Sequence, residues 1–378
     1  MTSSVKTKLK IQKLDYRGQG ISWDLDRITF IPQALPGEEV EIKLTKIHAK
    51  EQWGVVTKIC QASPQRITPA CPHFANCAGC HYLHLAYPDE LAAKTQVLQD
   101  HLAHIAKINP ATIHLQVHPA PQRHHYRQRL QLHYDQAQGQ IGLCHGQQIV
   151  AVPHCQLPLP PLAATMAQLY QDPSSWQTKA PTPCGHLELA VQQEQVQWHW
   201  NRPYAADGFC QVNPVMNQQL KQQWQQIFQA KGKDQAAGAK ILDLFGGQGN
   251  LSQDLAQQHA VLVVDLVVPA ATLPFSFVAT DLYAPSALAQ VQQAAPQASL
   301  GAPLTWMIVD PPRAGFKQIA VWAKTWAAQN ILYVSCNAAT LARDLASLCH
   351  DYHLQQLHLF DFFPGTYHFE TMAVLEAK

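Results

Sequence analysis

From about residue 240 onward, apolar runs of strand length alternate with helical patterns. Strands are expected near 240–245, 260–265, 275–279, 304–310, 331–335, 355–362 and 372–376, with helices between most of them. Such alternation points to a mostly parallel, Rossmann-like α/β sheet covered by helices. In the usual order of these sheets the first and fourth strands are neighbours, and ligands collect outside the strand ends. Three of the runs end in distinctive chemistry. Ile241-Leu242-Asp243-Leu244 leads into Phe245-Gly246-Gly247-Gln248-Gly249-Asn250, and a helical pattern from Leu251 would set a helix N-terminus against that glycine-rich loop. Ile308-Val309 leads into Asp310-Pro311-Pro312-Arg313-Ala314-Gly315, whose prolines stiffen the turn and hold the acid in place. Ile331 to Ser335 breaks at Cys336-Asn337, where a Leu/Ala-rich helical pattern follows and leaves a thiol at a strand end. Asp243–Asn250, Asp310 and Cys336 are therefore expected at one crevice.

A lone cysteine is usually a small, inert core residue. The surrounding motifs shift that balance for Cys336. In Phe363-Pro364-Gly365-Thr366-Tyr367-His368-Phe369-Glu370, an extended backbone would put Thr366, His368 and Glu370 on one face. Upstream stands Phe209-Cys210-Gln211-Val212-Asn213. Each segment alone is a weak signal, but together, in this order and spacing, they resemble the RNA uridine carbon-5 methyltransferases that use S-adenosylmethionine. The likeness is to the iron–sulfur, TRAM-domain type of 23S rRNA uracil-5-methyltransferase, and it spans nearly the whole chain.

That resemblance implies a mechanism. Carbon-5 of uracil is a poor nucleophile, so Cys336 is expected to add to carbon-6 and make carbon-5 enolate-like. Glu370 is then expected to remove the carbon-5 proton so that the cysteine can leave. The cofactor would be held by Phe245, Asn250 and Asp265, with Asp281 near the adenine and with Gln211 and Asp310 on the cofactor or the uracil edge. A uridine stacked in RNA must be flipped out to be reached. Two features depart from the family pattern. Leu266 to Pro274 is short and Pro-bounded where relatives carry a full helix, and Asp265 stands where Glu is usual.

The N-terminal stretch has another character. Short alternating segments at Leu9–Ile11, Ile28–Ile31, Val40–Leu44 and Trp53–Val56 are separated by turn signals, which reads as a five-stranded β-barrel of oligonucleotide-binding type. Residues 1–66 hold eleven Lys/Arg against seven Asp/Glu, although the whole chain carries only +1, so a mildly basic unit sits on a near-neutral body. The barrel resembles the TRAM domain of RNA-modifying enzymes. Arg127 and Arg129 in Tyr126-Arg127-Gln128-Arg129 alternate with apolar residues and read either as RNA-facing or as solvated.

Cys71, Cys77 and Cys80 lie within ten residues of a Pro/Gly-containing loop, whose backbone lets thiolates converge. The fourth ligand is open by pattern among Cys60, Cys144, Cys155 and Cys184. The resemblance selects Cys155, in Val152-Pro153-His154-Cys155-Gln156-Leu157, and implies a [4Fe-4S] cluster, with structural zinc as the alternative. Ten cysteines in 378 residues do not suggest a disulfide framework. No apolar run reaches the roughly 18 residues of a membrane span, and the N-terminus lacks a signal-peptide core, so the cytoplasm is the expected compartment.

Three domains are thus expected: a TRAM/OB-like barrel over 1–61, a β-rich central domain with the cluster loop over 62–207, and a Rossmann-like methyltransferase domain over 208–378. RNA, most simply rRNA, is the expected partner, with no membrane and no obligate protein partner. Rival readings are tRNA as substrate, cytosine methylation through the same thiolate step, an iron–sulfur redox sensor, and a non-catalytic iron–sulfur RNA-binding protein with a degraded cofactor pocket. Binding alone needs neither Cys336 nor Glu370, and a redox sensor leaves the three C-terminal motifs without a purpose.

Overall fold

The computed structural model describes residues 7–203, 211–232, 238–268 and 273–378, so Phe209 and Cys210 of the upstream motif and part of the Leu266–Pro274 segment lie outside it. The chain packs as two units, one of residues 1–97, 121–204 and 363–367 and the other of 98–120, 205–362 and 368–378. Among the described residues no helix is long and apolar enough to cross a membrane.

In the first unit, β1 (Thr7–Lys10), β2 (Lys13–Leu14), β3 (Gly20–Ser22), β4 (Ile28–Ile31), β5 (Glu39–Ile47) and β6 (Glu51–Gln61) form one sheet in the order β1-β5-β6-β4-β3-β2. The sequence suggested five strands, and the sixth arises because the first bends at Ile11-Gln12. Its leading half pairs with β5 and its trailing half with β3, so the same short stretch of chain stands at both ends of the sheet order. Leu9, Ile11, Ile31, Val40 and Ile42 are fully buried on the inner face, following the period-two alternation.

A second sheet orders β10 (Gln148–Val150), β9 (Gln140–His145), β8 (Arg129–Asp135), β11 (Cys184–Gln192) and β12 (Gln195–Trp200) in antiparallel fashion. Its face is covered by Leu162, Met166 and Leu169 of α2 (Pro160–Gln171) and by Trp176 of the short α3 (Ser174–Gln177). Helix α2 tolerates Pro160 and Pro161 because they occupy its first turn. Helix α1 (Tyr87–His101) is continued by one wider turn, Leu102–Ala106. That change of pitch takes Ile105 off the apolar stripe and leaves it exposed, while Leu98 and Leu102 are buried.

The second unit holds an eight-stranded sheet. Its order is β15 (Ser276–Ala279), β14 (Ala260–Asp265), β13 (Lys240–Leu244), β16 (Trp306–Val309), β17 (Asn330–Ser335), β19 (Glu370–Ala377), β18 (Tyr352–Phe360) and β7 (Leu115–His118). The strands from β15 to β17 run parallel, and β19 inserts antiparallel beside β17. Every residue of β16 and β17 is buried, as strands covered on both faces require. Helices α4 (Pro214–Lys231), α5 (Ala287–Ala294), α6 (Ile319–Thr325) and α7 (Ala338–Leu348) complete the unit. The helix expected from Leu251 is absent. Only a 3₁₀ turn, Gln253–Leu255, forms there; the amides of Ser252 and Gln253 both bond the Gly249 carbonyl and the Ser252 hydroxyl donates to Asp243.

Candidate active site

Parallel strands β13, β16 and β17 end on one edge of the sheet, and β19, running the other way, begins there. The register pairs Asn330 with Glu376 and ends with Ser335 opposite Thr371, whose hydroxyl donates to the Ser335 carbonyl at 2.9 Å. The ladder ends at that pair: Cys336 is the next residue after Ser335 and Glu370 the one before Thr371, and the Glu370 charge acts on the thiol. The two motifs are thus joined by strand pairing, although 34 residues part them in sequence.

The electrostatics match that placement. Burial pushes the Cys336 thiol up to about 12, Glu370 and Asp310 push in the same direction, and Arg313 opposes them. Asn337 caps α7 by accepting from Ala339 and Thr340, so the thiol also sits at a helix N-terminus, a position that favours thiolate. Glu370 itself is raised well above the ordinary carboxylate range by burial and by Asp310, again against Arg313. Burial and the nearby Asp265 lift Asp310 to about 7.

The Asp310–Gly315 loop is fastened from α7. Asn337 Nδ2 and the Thr340 hydroxyl both donate to the Arg313 carbonyl, and Arg343 donates to the Ala314 carbonyl. The buried Asp344 accepts the Phe316 amide at 2.7 Å and the Tyr333 hydroxyl at 2.6 Å. Gly315 adopts a φ of +69°, and a Cβ there would lie 2.6 Å from the Asp344 carboxylate, so only glycine lets the loop close on its anchor. The Arg313 guanidinium reaches His368 Nε2 at 3.4 Å.

Beside this lies the loop after β13. Asp265 accepts the amides of Gly247 and Val267, which ties the loop to the end of β14. Asp243 accepts from Ser252 through Oδ2 at 2.5 Å, while its Oδ1 is buried with no partner among the described residues. Burial lifts Asp243 to about 7, with Asp310 and Asp265 adding to the effect. Phe245 takes a φ of +60°, unusual for a residue with a side chain, and its ring is held edge-on against Phe316 and tilted against Tyr283. Asn250 exchanges two 3.0 Å hydrogen bonds with Asn217 of α4. Gln211 is half-buried just before Asn213, which caps α4, and exposed Asp281 accepts the Tyr283 amide after β15.

In the first unit, Cys71, Cys77, Cys80 and Cys155 line one cavity together with Arg127. Burial raises Cys77, Cys80 and Cys155, their thiols raise one another, and Arg127 pulls the other way. Cys60, Cys144 and Cys184 are exposed and do not line the cavity. Among the described residues no three His, Cys, Asp or Glu side chains are grouped closely enough to hold a single metal ion.

Two expectations are corrected. Neither arginine of Tyr126-Arg127-Gln128-Arg129 is a solvated or RNA-facing residue: Arg129 is buried against Glu188 at 3.7 Å, and Arg127 turns into the cysteine cavity. The 363–370 segment is not extended throughout, since Thr366 closes a turn on the Phe363 carbonyl through both its amide and its hydroxyl. Thr366 therefore leaves the face proposed for His368 and Glu370. The sequence reading gave no role to Arg313, Asp243 or Asp344. Arg313 and Asp243 lay inside quoted motifs, and Arg313 is the cation of its loop, a signal that a buried carboxylate pair needs a countercharge. Asp344, an acid inside an apolar helical face, was the cue for a buried anchor.

The comparisons with known proteins point to one family. A family profile described as tRNA (Uracil-5-)-methyltransferase matches residues 303–378, which contain all three C-terminal motifs. A 23S rRNA (uracil(1939)-C(5))-methyltransferase RlmD of Shewanella amazonensis is 30% identical over 447 aligned positions, covering 99% of this chain and 96% of the relative. The RlmD protein of Vibrio cholerae is 29% identical, covering 100% and 98%. In fold, the chain is similar to Pyrococcus abyssi tRNA (uracil-54, C5)-methyltransferase, solved in complex with S-adenosyl-L-homocysteine, with a TM-score of 0.69 at 19% identity, covering 97% of this chain and 99% of that one. On whole-length identity to the Shewanella relative, this chain belongs to the RNA uracil-C5-methyltransferase family.

Proposed function

We propose that the chain methylates carbon-5 of a uridine in RNA, with 23S rRNA as the substrate, through a covalent adduct between Cys336 and carbon-6. The observation that carries this is the Ser335–Thr371 pair, which brings the neighbouring Cys336 and Glu370 to one sheet edge, where Glu370 and Asp310 both act on the thiol. Cys336 loses its thiol proton to solvent, and addition of the thiolate to carbon-6 moves an electron pair onto carbon-5. When bound, S-adenosylmethionine supplies the methyl group as a sulfonium. Glu370 then accepts the carbon-5 proton, and the electrons of that C–H bond expel the sulfur and restore the ring. A carboxylate desolvated as Glu370 is makes a stronger base than one in water. Arg313 holds charge near both groups and favours their ionised forms.

The residues fit the methyl donor. The unpartnered Oδ1 of Asp243 and the glycine-rich loop tied to Asp265 suit a ligand with amine and hydroxyl donors. Phe245, Asn250, Gln211, Asp310 and Asp281 complete the proposed contact set. The four cysteines also suit a cluster: they line one cavity, and Arg127 Nε is buried there with no hydrogen-bond partner among the described residues. The six-stranded sheet serves as a TRAM-like RNA platform. It exposes Tyr16 and Trp23, with Arg17 over the Tyr16 ring at 5.1 Å and Lys13 over the Trp23 ring at 5.9 Å, the pairing that suits stacked bases and phosphate. Incubating the protein with transcribed 23S rRNA and a labelled methyl donor, then mapping 5-methyluridine by mass, tests the reading. Methyl on cytosine or on tRNA alone would overturn it.

A further inference from the structure

The turn that precedes Glu370 is held more tightly than a surface turn needs. Gly365 donates its amide to Glu90 at 2.6 Å and receives the amides of His81 and Tyr82 on its carbonyl at 2.7 and 3.0 Å. The Phe363 carbonyl accepts Lys94 Nζ at 3.2 Å, and the Pro364 carbonyl accepts the Tyr126 hydroxyl at 3.0 Å. Gly365 has a φ of +79°, and a Cβ there would meet Leu83 at 2.9 Å, so the turn also fits its seat sterically.

At the centre is a buried ion pair on one face of α1. Glu90 and Lys94, four residues apart, are both fully buried and 2.8 Å from each other, and Arg123 adds a second cation to Glu90 at 2.7 Å. Burying a carboxylate and two cations is costly, and a well-packed apolar replacement of such a pair is often no less stable. Stability alone is thus a weak reason for the arrangement. What the pair does specifically is bond both backbone ends of the Phe363–Gly365 turn.

We propose that Glu90 and Lys94 are positioning residues for proton removal: they seat the turn, and the turn, five residues ahead of Glu370 in the chain, sets where that carboxylate lies. The inference rests on the assignment of Glu370 as the base. A misplacement of about 1 Å in a catalytic group can cost on the order of a hundredfold in rate, so the defect should fall on elimination, after methyl transfer.

The test uses the full-length protein with an rRNA fragment and labelled methyl donor, and compares Lys94→Met, the double variant Glu90→Met/Lys94→Met, and Glu370→Gln. Lys94→Met keeps Glu90 paired with Arg123 while removing the Phe363 contact and the Lys94–Glu90 pair, so it remains informative if the double variant does not fold. We expect both to accumulate a denaturation-resistant protein–RNA adduct that already carries the methyl, with elimination slowed about tenfold or more and cofactor affinity unchanged. A proportionate loss of adduct and product, or wild-type turnover, in Lys94→Met overturns the inference while Glu370→Gln still traps adduct. No methylated adduct in Glu370→Gln overturns the base assignment itself, and the inference with it.

Discussion

The hydroxyl of Thr371 donates to the carbonyl of Ser335, and this contact fixes which members of two distant motifs meet. Shifting β19 by one residue would turn Glu370 to the opposite face of the sheet. The proposed chemistry thus depends on a strand register as much as on the identities of the two residues.

The thiol of Cys336 should be hard to ionise in the free enzyme, because burial and two acids raise it to about 12. For a raised thiol the thiolate fraction is small at neutral pH and grows as pH rises. Peptide-resolved iodoacetamide labelling of Cys336 should therefore climb steadily from pH 7 to pH 10, the window below the cited value. Arg313→Gln, which removes the favourable charge, should slow it further, and Glu370→Gln should speed it at alkaline pH. A plateau below pH 8 would show that the helix N-terminus outweighs desolvation.

Asp243 and Asp310 are both lifted to about 7 in the folded chain, above the ordinary aspartate value near 3.8. For acids raised in this way, protonation favours the folded state, so stability is highest below the unfolded value and falls as pH rises from about 4 through 7. Asp243→Asn should therefore raise the Tm at pH 8 and lose that advantage near pH 4. Scanning calorimetry of the cofactor-free protein would show it, and equal shifts at both pH values would contradict the assignment.

Asp344 anchors the Asp310–Gly315 loop through the Phe316 amide and the Tyr333 hydroxyl. Asp344→Ala should cost about 3 kcal/mol, by the scale for breaking a buried charged network, whereas Tyr333→Phe should cost about 1 kcal/mol for one lost hydrogen bond. Urea denaturation measures both. Equal effects would place the loop's anchor elsewhere.

Purified without oxygen, the protein should be brown, with about four iron per chain. Cys155→Ser should lose the colour as the other three cysteine variants do, and Cys144→Ser should keep it. Zinc with no visible absorbance would replace the cluster by a structural ion.

Much of this was legible before the structure. The strands of the sheet were readable because parallel strands buried on both faces, such as Trp306–Val309, are continuous apolar runs. That Lys240–Leu244 lies beside Trp306–Val309 followed from the usual order of such sheets. Less legible was anything set by a long-range polar contact. Where a helix was expected from Leu251, Ser252 instead donates to Asp243 across the glycine-rich loop. Arg129 looked like a surface residue because its partner, Glu188, lies 59 positions away on β11. Glu90 and Lys94 gave only the ordinary spacing of an exposed helix pair, and nothing local marked them as buried against residue 365.

The ordering of Cys336 before Glu370 is the central claim, and mass measurement of the covalent protein–RNA complex tests it most directly. Cys336→Ala should form no adduct and no 5-methyluridine while still binding the cofactor. Glu370→Gln should form an adduct whose mass includes one transferred methyl group. An adduct in Cys336→Ala, or an unmethylated adduct in Glu370→Gln, would contradict the account.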